Sequence, residues 1–532
     1  MGLASAGENG VKALMKSRYR AAGRTYTTLG DVRKAVKVER TAVAAALDGN
    51  VLMMQVPQNA ATFAAYTGIV TNAIRAAMGS AGVTVVVFDD PAHMTNAKRE
   101  EQARRDTQRK KTEPMCSVDI VPYPTSDSYG VPELTATTDC HAIVKCRASR
   151  QRFFDETGRM VLLNLKKSIA NWAQEGAQSV VLFDGLDPRG ALRPFGEPRV
   201  AQIFGSCDAT AALFQREQPM GEGDLKLAWV EQRVRELTAQ GKLPTKLHMT
   251  ITIDTDSIAI ELMEQARRNC EPLGGQDVMG VLCMRERSPK RDAWEDDPGA
   301  VYWAVDYNNL LELIVKDMWK VPPAAPAQRM GIALMCAGWA LAGCDFCKVA
   351  GLRADMVMDA LPGYLNTAKE LTPLMANSWS GDRDAAKNIE PALRRLVMLC
   401  AGNYADQPRS RKATAENMRQ HDRLALLRAA WVTAYWSNVE FCGDLSDFGF
   451  TAIYDGQFKY NAEPLKPEPA AKKPRKQPAP PAEPVALEEP VALEEPDPQQ
   501  ERVVSKYFAK NGIGTDRSQE WFASFACASG SR

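Results

Sequence analysis

Several apolar runs in this chain end on an acid, and that pattern constrains the fold more than any other feature. Thr41–Leu47 (TAVAAAL) runs into Asp48, Val83–Phe88 (VTVVVF) into Asp89, Met249–Ile253 (MTITI) into Asp254 and Asp256, and the apolar run Gly331–Cys344 into Asp345. Glu222 and Asp224, in GEGD, lie between them in sequence. Short runs of small and β-branched residues read as buried strands, and the longer run as a core helix. An acid directly after such a strand has no packing role. It does have a place in an open α/β sheet, where ligands bind in the crevice beyond the carboxyl ends of the strands. Seven carboxylates converging there would repel one another without cations, and hard divalent ions such as Mg²⁺ take oxygen ligands. A pair of these ions can clamp the attacking and leaving oxygens of a phosphodiester. The expectation is an α/β protein with a metal-dependent phosphodiesterase site.

The remaining composition narrows the alternatives. At 532 residues, 45% hydrophobic and 25% charged, the chain is ordinary globular material with room for a large core and a smaller region or tail. Net charge is +1, so affinity for a polyanion must come from local basic patches. The longest apolar stretch, MGIALMCAGWALAGC, is too short for an ordinary membrane span, so no membrane is expected. The N-terminus lacks the basic-then-apolar layout of a secretory signal, and Ala6 stands where a myristoylation motif wants Ser or Thr, which predicts an intracellular protein. Twelve scattered cysteines read as reduced core thiols. Cys344 and Cys347 have zinc-knuckle spacing but no second CxxC or histidine partner, and the four histidines form no metal pair.

From Val11 to about Ala350, apolar strands alternate with amphipathic helices, as in a sheet built on βα units. Helices are predicted near Ala61–Met78, across Phe153–Glu175 and at Asp224–Gln240. Between Lys111 and Arg152 periodicity gives way to Pro, Ser, Thr and Asp, which reads as an insertion or long loop. Residues 351–460 read as mostly helical. From 461 to 500 the chain is rich in Pro, Ala, Glu and Lys, with eleven of the 32 prolines between Pro464 and Pro498, and is expected to be a disordered linker. An apolar-aromatic island at Glu501–Phe508 (ERVVSKYF) and a tail, 509–532, follow. The basic run Lys472–Lys476 (KKPRK) fits nuclear import.

Two spacings carry the chemistry. Glu222 with Asp224, and Asp254 with Asp256, are two residues apart, so in an extended segment both members point the same way and can share a metal. Alone, Asp254 with Asp256 reads also as a solvated turn, and GEGD as a loop or an N-cap. Asp184, after SVVLFDG, follows the same strand-end pattern, and metal binding or turn capping both remain open for it. Immediately after Asp89, Thr95–Lys111 (TNAKREEQARRDTQRKK) reads as a helix capped by Thr95 or Asn96. On it Lys98, Gln102, Arg105 and Arg109 fall on one face, a basic stripe placed to grip phosphates beside the metals. The alternative is a solvated surface helix laced by Glu100, Glu101 and Asp106.

The order LDGN, VVVFDDP…KREEQARR, GEGDLK, IDTDS and AGCDFC resembles the 5′ nuclease superfamily of flap endonucleases, XPG-type repair nucleases and Xrn-type 5′-3′ exonucleases. The resemblance spans roughly Gly10 to Leu361. It implies a PIN-like domain over 1–350 with a mostly parallel sheet and a basic helical arch. It further implies two Mg²⁺ ions, replaceable by Mn²⁺, on Asp48, Asp89, Glu222, Asp224, Asp254, Asp256 and Asp345. Lys98 and Arg105 then act on the scissile phosphate, and Gln102, Arg104 and Arg109 bind nucleic acid. GEGDLK and NGVKALMKSRY are similar to the Xrn branch, whereas GCDFCKVAGLRADMVMDAL is similar to the flap-nuclease duplex-binding hairpin in degenerate form. ERVVSKYF is similar to a sliding-clamp-binding peptide, with Glu501 in place of Gln, Val504 as the aliphatic plug, and Tyr507 and Phe508 as the paired aromatics. The expectation is thus a monomeric nuclear DNA flap endonuclease or 5′-3′ exonuclease of replication or repair. An RNA-degrading Xrn-like enzyme is the first alternative, and an idle nucleic-acid-binding or structural homologue the second.

Overall fold

In the computed structural model the described residues are 18–54, 56, 63–95, 98–99, 144, 147–174, 179–193, 197–270, 278–286, 301–319, 324–342, 360–365, 432–433, 435–436, 451–453 and 457–459. They form an α/β structure around an eight-stranded, mostly parallel mixed sheet. In chain order the strands are β1 (Arg24–Tyr26), β2 (Val43–Asp48), β3 (Val83–Val87), β4 (Val180–Leu186), β5 (Gln202–Gly205), β6 (Leu247–Thr252), β7 (Met279–Glu286) and β8 (Val301–Asp306). The helices that position the site are α1 (Leu29–Ala35), α2 (Gly49–Met54), α3 (Phe63–Met78), α4 (Arg147–Gln174), α5 (Asp208–Leu213), α6 (Gly223–Ala239), α7 (Asp256–Cys270), α8 (Tyr307–Met318) and α9 (Ala325–Ala342). The spatial order is β1-β8-β7-β6-β2-β3-β4-β5, with β7, β6, β2, β3 and β4 parallel and β1, β8 and β5 antiparallel to their neighbours.

The strand sequences explain the layering. Along β2, Val43, Ala45 and Leu47 pack into one core and Ala44 and Ala46 into the other, as period-two alternation requires of a strand buried on both faces. The first core gathers α1, α2, α3 and α4, and the second gathers α6, α7, α8 and α9. The chain runs from β2 outward through β3 to β4, then returns to β6 on the other side of β2. The strand order therefore reverses between β2 and β6, and the crevice at such a switch point is where an open α/β sheet binds ligands.

Several boundaries differ from the sequence reading. The segment expected as an insertion over 111–152 is partly helical, because α4 already includes Arg147–Arg152, and Val144 is buried beside it. Within the region expected to be helical, Thr451–Ile453 and Gln457–Lys459 instead pair as an antiparallel ribbon. Val432, Tyr435 and Trp436 join the same core as α9, where Trp436 meets Trp339 edge to face at 5.9 Å. Among the described residues no helix is long and apolar enough to cross a membrane. The linker 461–500, the tail and the clamp-like residues Glu501, Val504, Tyr507 and Phe508 lie outside the described residues, as do Gln102, Arg104, Arg105, Arg109 and Asp345.

Candidate functional site

At the carboxyl ends of β2, β3 and β6 the chain leaves the sheet on an acid each time. Asp48 is the last residue of β2, and its Oδ1 accepts the Val51 amide at 3.0 Å, turning the chain into α2. Asp89 follows β3 and accepts the Gly223 amide at 2.8 Å. Asp254 follows β6 and accepts the Asp256 amide at 3.0 Å, which starts α7. Glu222 is the N-cap of α6, and Asp224 lies in its first turn, where Oδ1 accepts the Ser257 hydroxyl at 3.0 Å. Asp256 is buried as the first residue of α7.

The two carboxylate pairs are therefore not extended segments, as their spacing suggested. Each straddles the start of a helix, where free backbone amides and the positive end of the helix offset negative charge. The glycines of GEGD explain how the acids come so close. A Cβ on Gly223 would sit 3.1 Å from Asp89 Oδ1, and a Cβ on Gly221 would run into the His93 carbonyl. Gly221 has no room for a side chain, and at Gly223 a Cβ would press on Asp89.

These acids feel one another. Burial, and then repulsion from Asp89 and Asp254, lifts the Asp48 carboxyl to about 7. Burial followed by Asp254, Asp48 and Glu222 raises Asp224 well above the carboxylate range. The cation facing them is Lys98, whose Nζ lies 2.9 Å from Glu222 Oε2. Burial would weaken its charge, but Glu222, Asp89 and Asp224 outweigh that and raise the ammonium well above its usual range. Asp48, Asp89, Glu222, Asp224 and Asp254 thus share one electrostatic neighbourhood with Lys98 at the switch point. The chain matches no protein-family model and no curated protein sequence.

The donor set is all oxygen, which suits Mg²⁺ or Mn²⁺ and not zinc. Among the described residues no three of these side chains already converge as a group able to hold an ion. Lys98 meets Glu222, while Asp48, Asp89 and Asp254 each accept a backbone amide and Asp224 accepts the Ser257 hydroxyl. The chemistry of the donors fits a divalent cation.

Two other acids on strands have structural roles, Asp184 within β4 and Asp306 at the end of β8. Asp184 points into the core, held by Arg216 through two contacts of 2.5 and 2.7 Å and by Lys226 at 3.5 Å. Burial alone would raise its carboxyl, but Lys226 and Arg216 prevail and hold it below its ordinary value. Asp306 ends β8 and caps α8 through the amides of Asn308 and Asn309. Because β8 is antiparallel to β7, pairing Asp306 with Val281, this acid stands at the opposite edge of the sheet. Strand direction separates Asp306 from the site, whereas Asp184, on a strand parallel to β3, is separated by its partners Arg216 and Lys226, and the sequence displays neither.

Some supporting residues escaped the sequence reading. Ser257, the last residue of IDTDS, orients Asp224. Asp90, beside Asp89, is a buried structural acid bridged to Arg199 at 2.8 Å and to His93 at 2.7 Å. Arg199 also reaches Asp155 on α4 at 3.0 Å, so this ion network braces the β3 end of the site from below. An acid doublet after a strand was the available signal for Asp90; nothing in the sequence pointed to Arg199.

Proposed function

We propose that the protein is a Mg²⁺-dependent 5′ nuclease with a PIN-like fold, hydrolysing phosphodiester bonds of DNA at flaps or 5′ ends. The observation carrying this reading is the meeting of five carboxylates from four separate chain segments with Lys98, at the sheet's switch point. An arrangement that costs stability through like-charge burial needs a use, and cation binding supplies one.

Asp48, Asp89, Glu222, Asp224, Asp254 and Asp256, with Asp345, would hold the ions. Bound Mg²⁺ supplies an acidified water nucleophile and stabilisation for the leaving 3′-oxygen. The chain's own residues do the rest. Ser257 and the Gly223 amide fix the orientation of Asp224 and Asp89, so the ligands need little reorganisation. Lys98 exchanges its contact with Glu222 for a phosphoryl oxygen, neutralising charge that develops there, and Arg105 extends the same grip. The similarity of GEGDLK to the Xrn branch makes RNA the competing substrate.

A panel of 5′-labelled DNA flaps and 5′-phosphorylated RNAs tests this directly. Wild type is expected to release a discrete flap oligonucleotide in Mg²⁺, and Asp254→Ala to lose at least ~100-fold of that activity. Mononucleotides from RNA alone would move the substrate to RNA. Equal activity in the two proteins would remove the metal assignment.

A further inference from the structure

One fully buried cation reaches the end of β3 next to Asp89. Lys226, in the first turn of α6, is 0% exposed, and its Nζ donates to the Phe88 carbonyl at 2.6 Å. Asp184 stands further off, 3.5 Å from the same Nζ, and already meets Arg216 at both of its oxygens. Arg216 alone can balance that acid, so the pairing does not explain why a lysine is buried here. Burying an ammonium is costly, and the closest partner of this one is a backbone carbonyl.

Phe88 is the residue before Asp89, and both of its backbone groups are held. Its amide donates to the Asp184 carbonyl at 2.8 Å, and its carbonyl takes Lys226. The next two residues also meet the start of α6: Gly223 donates its amide to Asp89 Oδ1 at 2.8 Å, and Asp90 donates its amide to the Gly221 carbonyl at 2.7 Å. Three successive residues, Phe88, Asp89 and Asp90, thus join β3 to the segment carrying Glu222 and Asp224. Of these three links, the one from Lys226 is the one an α6 side chain supplies. The backbone makes room for it. Gly185 on β4 has φ +95°, a left-handed conformation that favours glycine, and a Cβ there would stand 2.5 Å from Lys226 Nζ and run into the Phe88 carbonyl.

We propose that Lys226 is a positioning residue for this centre: by holding the Phe88 carbonyl it fixes Asp89 against Glu222 and Asp224, so that acids from β3 and α6 bind one cation together. This rests on reading the acid cluster as the metal site. A lysine that serves only the core would change stability when removed and leave metal affinity alone.

In the full-length protein, Lys226→Met keeps the bulk of the stem, removes the donor and leaves Asp184 paired with Arg216. Lys226→Leu removes the donor with different packing and repeats the test if the first variant does not fold. Asp184→Asn is the control, since it loosens the same core and leaves the Phe88 carbonyl with its lysine. Mn²⁺ affinity, read from the electron paramagnetic resonance signal of the free ion, needs no activity. The expected result is affinity reduced ~10-fold or more on loss of Lys226, and wild-type affinity in Asp184→Asn despite a lower melting temperature. Cleavage in Mg²⁺ should show kcat reduced about 10-fold with KM for the nucleic acid little changed. Wild-type Mn²⁺ affinity in a folded Lys226 variant would overturn the proposal, as would an equal loss in Asp184→Asn, or the failure of both Lys226 variants to fold. No Mn²⁺ binding by the wild type would remove the metal reading and this proposal with it. The expected Mn²⁺ affinities alongside a wild type that cleaves nothing would leave Lys226 in its role and remove the nuclease reading alone.

Discussion

At the residue scale, acids of the same type and similar sequence context have opposite energetic roles. Asp184 neutralises Lys226 and Arg216, so Asp184→Ala strands two buried cations and should cost about 3–5 kcal/mol, seen as a large fall in melting temperature. Asp224 is crowded by Asp254 and Asp48, so Asp224→Asn relieves repulsion. Metal-free stability should hold or rise while cleavage drops at least ~100-fold. Asp48 gives a pH signature of the same crowding. Its folded value near 7 lies above its ordinary 3.8, so across that window the folded chain keeps a proton the unfolded chain has released. Stability then falls as pH rises, from nearly no cost below about pH 4 to full cost above about pH 7. Metal-free melting curves should show that slope, and Asp48→Asn should flatten it.

At the element scale, the start of α6 sets the spacing of the site. Gly223 donates its amide to Asp89 and leaves no space for a Cβ, so Gly223→Ala should displace Asp89 by a few tenths of an ångström. The expected result is a folded protein with cleavage reduced about 10-fold or more, whereas Gly221→Ala, pressed on the His93 backbone, should lower the melting temperature itself. Much of this element structure was legible in sequence. The runs ending at Asp48, Asp89 and Asp254 were readable as strands because small and β-branched residues in short blocks leave few alternatives, and α3, α6 and α9 because apolar residues recur at helical spacing. The helix after GEGD was readable, but the idea that each acid pair shares an extended segment was not correct, and the helix start at DTDS left no clear signal, since two acids at spacing two fit either geometry until the amide partners are seen. Contacts between distant segments, Arg216 with Asp184 or Arg199 with Asp90, left no local trace to read.

At the scale of the whole molecule, the acids meet because the strand order reverses between the parallel strands β2 and β6 and brings ends of remote segments together. Behind it, α6 and α7 are tied by Glu231, which meets Arg235 and Arg268 at 3.0 Å each in the buried layer. That tie joins the bodies of the two helices, and the Ser257–Asp224 hydrogen bond joins their starts. The account treats this junction as a two-ion centre, and calorimetric titration of the metal-free protein with Mn²⁺ tests that claim most directly. It predicts two ions bound per chain, with binding lost or reduced to one ion in Asp224→Asn and left intact in a variant of the exposed acid Glu217→Gln. No Mn²⁺ binding by the wild type, or binding that Asp224→Asn leaves unchanged, would contradict it.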